Sequence, residues 1–169
     1  GCGNVGDSTY FGSRGLSVPA VDASAEAIRF CVERQQVAPT VRFRHSTIEA
    51  APEMVHQFLE AGPRPGLVYA RFVLHAITED QEQAFYRMLS RNLPAGTYVA
   101  LEYRTKDDAL SPKVYGETHY RRFVDHEAVC QTMSNMGFAT VHEVEGTGLA
   151  VHRHEDPVVG RYLGVRVEA

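Results

Sequence analysis

Gly1, Gly3 and Gly6 open the chain at GxGxxG spacing in GCGNVGDS, and a short apolar segment then ends on Asp22 in PAVDAS. Only glycine lets so tight a turn form and lets backbone amides come close to a ligand. A carboxylate at the end of the next strand can accept hydrogen bonds from both ribose hydroxyls of an adenosine. A glycine turn followed one strand later by an acid therefore constrains the chain to an α/β layered fold with a nucleoside at its strand ends. Asp22 is also placed to cap the helix that starts near Ser24, so both roles stay open here.

The rest of the chain alternates helix-like and strand-like segments with no repeat, low-complexity tract or linker. Residues 6–14 can start a helix, and SAEAIRFCVERQ carries Ala27, Ile28, Cys31 and Val32 at helical spacing, with Ser24 as N-cap. In VRFRHS, Val41 and Phe43 alternate with Arg42 and Arg44, the pattern of an exposed edge strand. A weak helix is expected over residues 49–61, and PRPGLVYARFVLHAI reads as a strand running out into polar groups. TEDQEQAFYRMLSRNL is an amphipathic helix capped by Thr78, acidic in its first turn and closed by Pro94 and Gly96.

TYVALEYRT reads as a buried, parallel-sheet strand. After a polar stretch at 106–122, a helix runs from about Asp125 to Asn135 and stops at Gly137. FATVHEVEG and LAVHR are two β-like runs close enough to pair as a hairpin. A parallel sheet ending in an antiparallel hairpin differs from the dinucleotide-dehydrogenase pattern, and Asp22 follows Gly6 by only 16 positions. Both features weigh against the rival reading, an NAD(P)-dependent oxidoreductase.

GCGNVGDS and AVDASAEAI resemble the class I S-adenosylmethionine-dependent methyltransferases, whose first motif reads acid-x-GCGxG before a strand ending VDxS. The resemblance covers nearly the whole chain. It implies a Rossmann-like α/β sheet, mostly parallel with a C-terminal antiparallel hairpin, helices on both faces, and residues 1–169 as a single domain. The turn has no strand ahead of it and Gly1 is no initiator methionine, so an apolar strand ending in an acid is expected upstream. The resemblance also implies S-adenosylmethionine as cofactor. Gly1, Gly3 and Gly6 would line its methionine part, Asp22 its ribose, Ser46 or Thr47 its adenine side, and Arg71 with Phe72 the sulfonium. A methyltransferase-like module without turnover is the non-enzyme alternative.

Ligands of open α/β sheets sit beyond the carboxyl ends of the strands, which singles out YARFVLHAI, LEYRTKDD and PKVYGETHYRRF. These segments look like a bacterial methyltransferase subset associated with cell-surface glycan assembly, which implies O-methylation of a small or glycan-linked acceptor. Methyl transfer from a sulfonium is an in-line displacement, so positioning supplies much of the rate. An alcohol acceptor needs a general base, for which His75 and His119 are the candidates. An anionic acceptor needs cationic orientation instead, and Arg71, Arg104, Lys113, Arg121 and Arg122 stand in these segments beside Tyr115. The alternative is that the arginines pair with Asp107, Asp108 or Glu117. Gly116 would let this stretch close as a lid.

Three further features bound the reading. HRHED (152–156) places two histidines on one strand face with no further ligand at useful spacing, so its side chains are expected to face water and no metal is expected. A net charge of −4 disfavours a nucleic-acid partner, and no apolar run approaches the ~20 residues of a membrane span. Cys2, Cys31 and Cys130 lie far apart without a CxxC pair and read as reduced thiols of a cytoplasmic protein.

Overall fold

A computed structural model describes residues 1–3, 6–33, 39–50, 52, 54–56, 58, 65–110 and 120–168. The chain falls into two compact units, Gly1–Gly62 and Pro63–Ala169. No helix among the described residues is long and apolar enough to cross a membrane.

The first unit holds helix α1 (Gly6–Ser13), strand β1 (Val18–Asp22), helix α2 (Ala25–Glu33) and strand β2 (Val41–His45). The two strands pair in parallel, with Val18 opposite Val41 and Asp22 opposite His45. Ser24 caps α2 as expected, its hydroxyl accepting from the Ala27 amide at 3.1 Å. On β2, Val41 is buried while Arg42 and Arg44 are exposed, as an edge strand requires. Cys31 is the fully buried residue of α2, whereas Val32 faces out at 48% exposure. The helix expected over 49–61 falls largely outside the described residues.

The second unit holds β3 (Leu67–Arg71), helix α3 (Glu79–Asn92), β4 (Tyr98–Arg104), helix α4 (His126–Asn135), β5 (Phe138–Gly146) and β6 (Val159–Arg166). Its sheet runs β3-β4-β6-β5, with β3 and β4 parallel and β6 antiparallel to both its neighbours. The helix ends follow their local signals. Thr78 and Gln81 make a reciprocal capping box on α3, and the Asp125 side chain accepts from the Ala128 amide to start α4. Gly96 and Gly137 both turn at φ 81°, where a side chain would be strained.

Two expectations are corrected. The second hairpin strand is not LAVHR but VGRYLGVR, which lies between β4 and β5. Residues 149–153 belong to the connection, which carries a bridge from His152 to Glu155. Gly160 and Gly164 sit within this strand because neighbouring rings leave no room for a side chain. A Cβ at Gly160 would come 2.5 Å from His126 Nδ1, and one at Gly164 would come 2.4 Å from the Tyr162 hydroxyl. Second, β3 is shorter than its apolar run. Phe72 adopts φ 58°, its amide donates to the Glu102 carbonyl at 2.7 Å, and a 3-10 turn follows at Leu74–Ala76.

The core of this unit is built on Leu74, Leu89, Val99, Tyr103, Met133 and Val159, none exposed by more than 0%. Full burial of an apolar side chain of this size contributes about 1.5–3 kcal/mol.

Candidate functional site

In the first unit the glycine turn and Asp22 are joined directly. The Gly3 amide donates to Asp22 Oδ2 and the Ser24 amide to Asp22 Oδ1, each at 2.9 Å. Asp22 therefore ties the glycine turn to the segment that leads into α2. An ionised carboxylate offers about four lone-pair sites, and two backbone donors leave acceptor capacity for further hydroxyls. Gly3 sits at φ 50°, and a Cβ there would meet nothing within 4 Å, so the backbone above the turn is open to a ligand. The Cys2 amide donates to the Val21 carbonyl at 2.8 Å, which lays the turn along the end of β1.

Cys31 is a support that periodicity placed only on an apolar face. Its thiol donates to the Gly3 carbonyl at 3.2 Å, fixing the turn from below. Burial holds this thiol above its usual range, and burial with Cys31 nearby pushes Cys2 up to about 12, so both stay protonated. Ser46 follows β2, its amide donating to the Asp22 carbonyl at 3.0 Å, and Thr47 beside it is exposed. The turn, Asp22, Ser46 and Thr47 thus gather at the carboxyl ends of β1 and β2, where such folds bind ligands. Gly6 begins α1, whose first turn also holds Asp7.

In the second unit the carboxyl ends of β3 and β4 gather Arg71, Phe72, His75 and Arg104. Arg71 lies over the Phe72 ring at 5.5 Å, and its Nε stands 3.9 Å from Glu102. Arg161 donates to the other Glu102 oxygen at 2.6 Å. The bulky Phe72 holds a left-handed backbone beside the His75 ring, 5.4 Å away, and such strain concentrates at functional positions.

His75 is buried, and its Nδ1 accepts from the Arg104 amide at 3.0 Å. Burial, reinforced by Arg104 and Arg121, pulls its pKa down to about 4. A ring that weakly basic is a poor proton acceptor at neutral pH. The shift also makes a stability prediction. The unfolded chain takes up this proton near the ordinary value of 6.5, well above the folded pKa. The unfolded state therefore binds more protons in that window, and His75 costs stability as pH falls from about 6.5 toward 4. Urea midpoints measured against pH should show a shallower acid loss in His75→Gln, which keeps an acceptor but does not titrate; an unchanged slope defeats the assignment.

Arg104 was expected at the substrate and is instead part of the scaffold. Only 6% exposed, it donates to Asp108 and to Glu155, both at 2.8 Å. Glu155 of HRHED is thus a buried ion-pair partner, while His152, Arg153, His154 and Asp156 are exposed. Arg122 is committed as well. Its guanidinium donates to the Ile77 carbonyl at 2.7 Å, the Leu74 carbonyl at 3.1 Å and the Glu82 carboxylate, while its amide donates to the His75 carbonyl. It seals the turn after β3 against α3 rather than facing a ligand. Arg121 is half-buried and close enough to His75 to depress its pKa. Lys113, Tyr115 and His119 lie outside the described residues.

No family profile matches the sequence, and no curated protein does. Solved structures match it in fold. A methyltransferase dependent on S-adenosylmethionine (SAM) from Methanosarcina mazei superposes at a TM-score of 0.74 with 13% identity, over 99% of this chain and 90% of that one. One from Anabaena variabilis gives 0.72 with 17% identity, over 98% and 74%. The magnesium protoporphyrin IX methyltransferase of Synechocystis, solved with bound S-adenosylhomocysteine, gives 0.68 with 14% identity, over 98% and 71%. The chain therefore has the Rossmann-like α/β fold of SAM-dependent methyltransferases, with the antiparallel hairpin at its end.

Proposed function

We propose that this chain, built on that fold, works as a single catalytic domain and transfers the methyl group of S-adenosylmethionine to a small acceptor. The observation that carries the reading is the Asp22 carboxylate, held by the Gly3 and Ser24 amides at the end of β1 with acceptor capacity left over. A ribose diol needs such an acceptor. Gly1, Gly3 and Gly6 are assigned to the methionine part, and Ser46 or Thr47 to the adenine side. Arg71 and Phe72 are assigned to the sulfonium. The bound cofactor supplies an electrophilic methyl group. What the chain adds is orientation of the acceptor, exclusion of water and disposal of one proton.

The finer reading is O-methylation of a small or glycan-linked acceptor. With His75 held at a pKa of about 4, the general base of that reaction is assigned to His119. Orientation of an anionic acceptor is assigned to Arg121, with Lys113 and Tyr115, while Arg104 and Arg122 bind internal carboxylates. Thermal shift with SAM, its demethylated product and NAD tests the cofactor: the first two should raise the melting temperature and NAD should not. Stabilisation by NAD alone would move the chain to the oxidoreductases, and binding without turnover over an acceptor screen would leave a binding module. Once an acceptor is found, His119→Ala should lower kcat while SAM affinity stays within about twofold.

A further inference from the structure

Away from every residue assigned above, three metal-ligating side chains converge in the second unit. His126 opens α4, Cys130 lies one turn further on, and Glu143 comes from β5; one ligand atom of each lies within 4.8 Å of the others. The Cys130 sulfur is 3.8 Å from His126 Nε2. That is long for a firm hydrogen bond but close to another distance. Zn–N of 2.0–2.1 Å and Zn–S of 2.3 Å at a tetrahedral angle put the two ligand atoms about 3.6 Å apart.

The imidazole is already oriented for such a role. Its Nδ1 is hydrogen-bonded to the Tyr103 hydroxyl at 2.9 Å, which leaves Nε2 toward the thiol. Metal-bound histidines are held in this way by a partner on the second nitrogen. The ring also rests on bare backbone, because a Cβ at Gly160 would sit 2.5 Å from Nδ1 and 2.9 Å from the Tyr103 ring. Three elements, α4, β4 and β6, thus fix the direction in which Nε2 points. Glu145, two residues on along β5, lies on the same face as Glu143 and its charge is felt at Cys130.

We infer that His126 Nε2, Cys130 Sγ and the Glu143 carboxylate form a three-ligand site for a zinc-class divalent cation, with water at the fourth position. Imidazole and thiolate select a borderline-soft d10 ion over magnesium or calcium, which prefer oxygen throughout. Binding displaces the thiol proton to solvent and ties the first turn of α4 to β5. The site shares no residue with the methyl-transfer reading and stands independently of it.

Anaerobic titration of the metal-stripped chain with cobalt(II), followed by zinc, tests it. The parent should bind one cobalt per chain, show a thiolate-to-cobalt charge-transfer band and tetrahedral visible bands, and lose them when zinc displaces the probe. Its melting temperature should rise with zinc. Cys130→Ser should abolish the charge-transfer band. Glu143→Gln, an exposed change that leaves packing alone, should weaken cobalt binding at least tenfold and erase the zinc-dependent rise. The double variant His152→Ala/His154→Ala, on the exposed turn, should behave as the parent. Absence of a stoichiometric band in the parent overturns the inference, as does a band that survives Cys130→Ser or vanishes with the turn histidines. Parent-like affinity in Glu143→Gln overturns the three-ligand assignment even where Cys130→Ser does not fold.

Discussion

Replacing Arg104 by Met should destabilise the fold by about 3–5 kcal/mol, the range for removing one partner of a buried ion pair. The side chain is nearly isosteric along its stem, so the loss is electrostatic rather than a cavity. Asp108 at 0% exposure and Glu155 at 8% would each keep a carboxylate with its cation gone. Asp108 would retain the Val158 amide at 3.0 Å as a donor, whereas Glu155 Oε1 already has no partner among the described residues. Urea denaturation at neutral pH measures the deficit. Adding Glu155→Gln to Arg104→Met should recover part of it, since one orphaned charge is removed. The gap between parent and variant should also narrow toward about pH 5, because the variant gains by protonating its orphaned carboxylates. A deficit under about 1 kcal/mol, the value of a solvated surface pair, would show that water screens this network.

Asp22→Ala should weaken S-adenosylmethionine by roughly 1.5–3 kcal/mol, about 10- to 150-fold in Kd, the range for hydrogen bonds to a charged group. Part of that loss comes from the ligand and part from the turn, since the Gly3 and Ser24 amides lose their acceptor too. Asp22→Asn separates the two. It keeps one acceptor oxygen for one amide but offers an NH2 group to the other, so it should fall between parent and Ala. Calorimetric titration gives the constants directly. Equal affinity in parent and Asp22→Ala would remove the nucleoside from the end of β1 and with it the proposed cofactor placement.

Much of the local structure was readable from residues a few positions apart. Ser24, Thr78 and Asp125 cap their helices through contacts three residues away, and the backbone freedom of glycine lets Gly137 close α4 and Gly96 form the turn before β4. The alternation in VRFRHS marks an edge strand in the same way, because period-two burial is a property of a single strand. The glycine turn and Asp22 were each legible as motifs, although they meet across 19 residues with α1 and β1 between them.

What the sequence could not show were choices of partner over long separations. Arg104 meets Glu155 across 51 residues and gives its amide to His75 across 29, and neither its type nor its spacing distinguishes that from a ligand-gripping arginine. Arg122 finds Glu82 across 40. The strand VGRYLGVR was hidden because glycine is an intrinsically poor strand former, and only the rings of His126, Tyr103 and Tyr162 packed over Gly160 and Gly164 make it necessary there. Likewise His126 and Cys130 are helical neighbours legible in sequence, but Glu143 joins them only once β5 is laid beside β6. Residue order determined the caps, turns and strand ends, because those depend on dihedral preference and nearest contacts. The tertiary structure decided which charges are buried against each other and which stay exposed. That outcome depends on desolvation, and desolvation exists only once distant segments have packed.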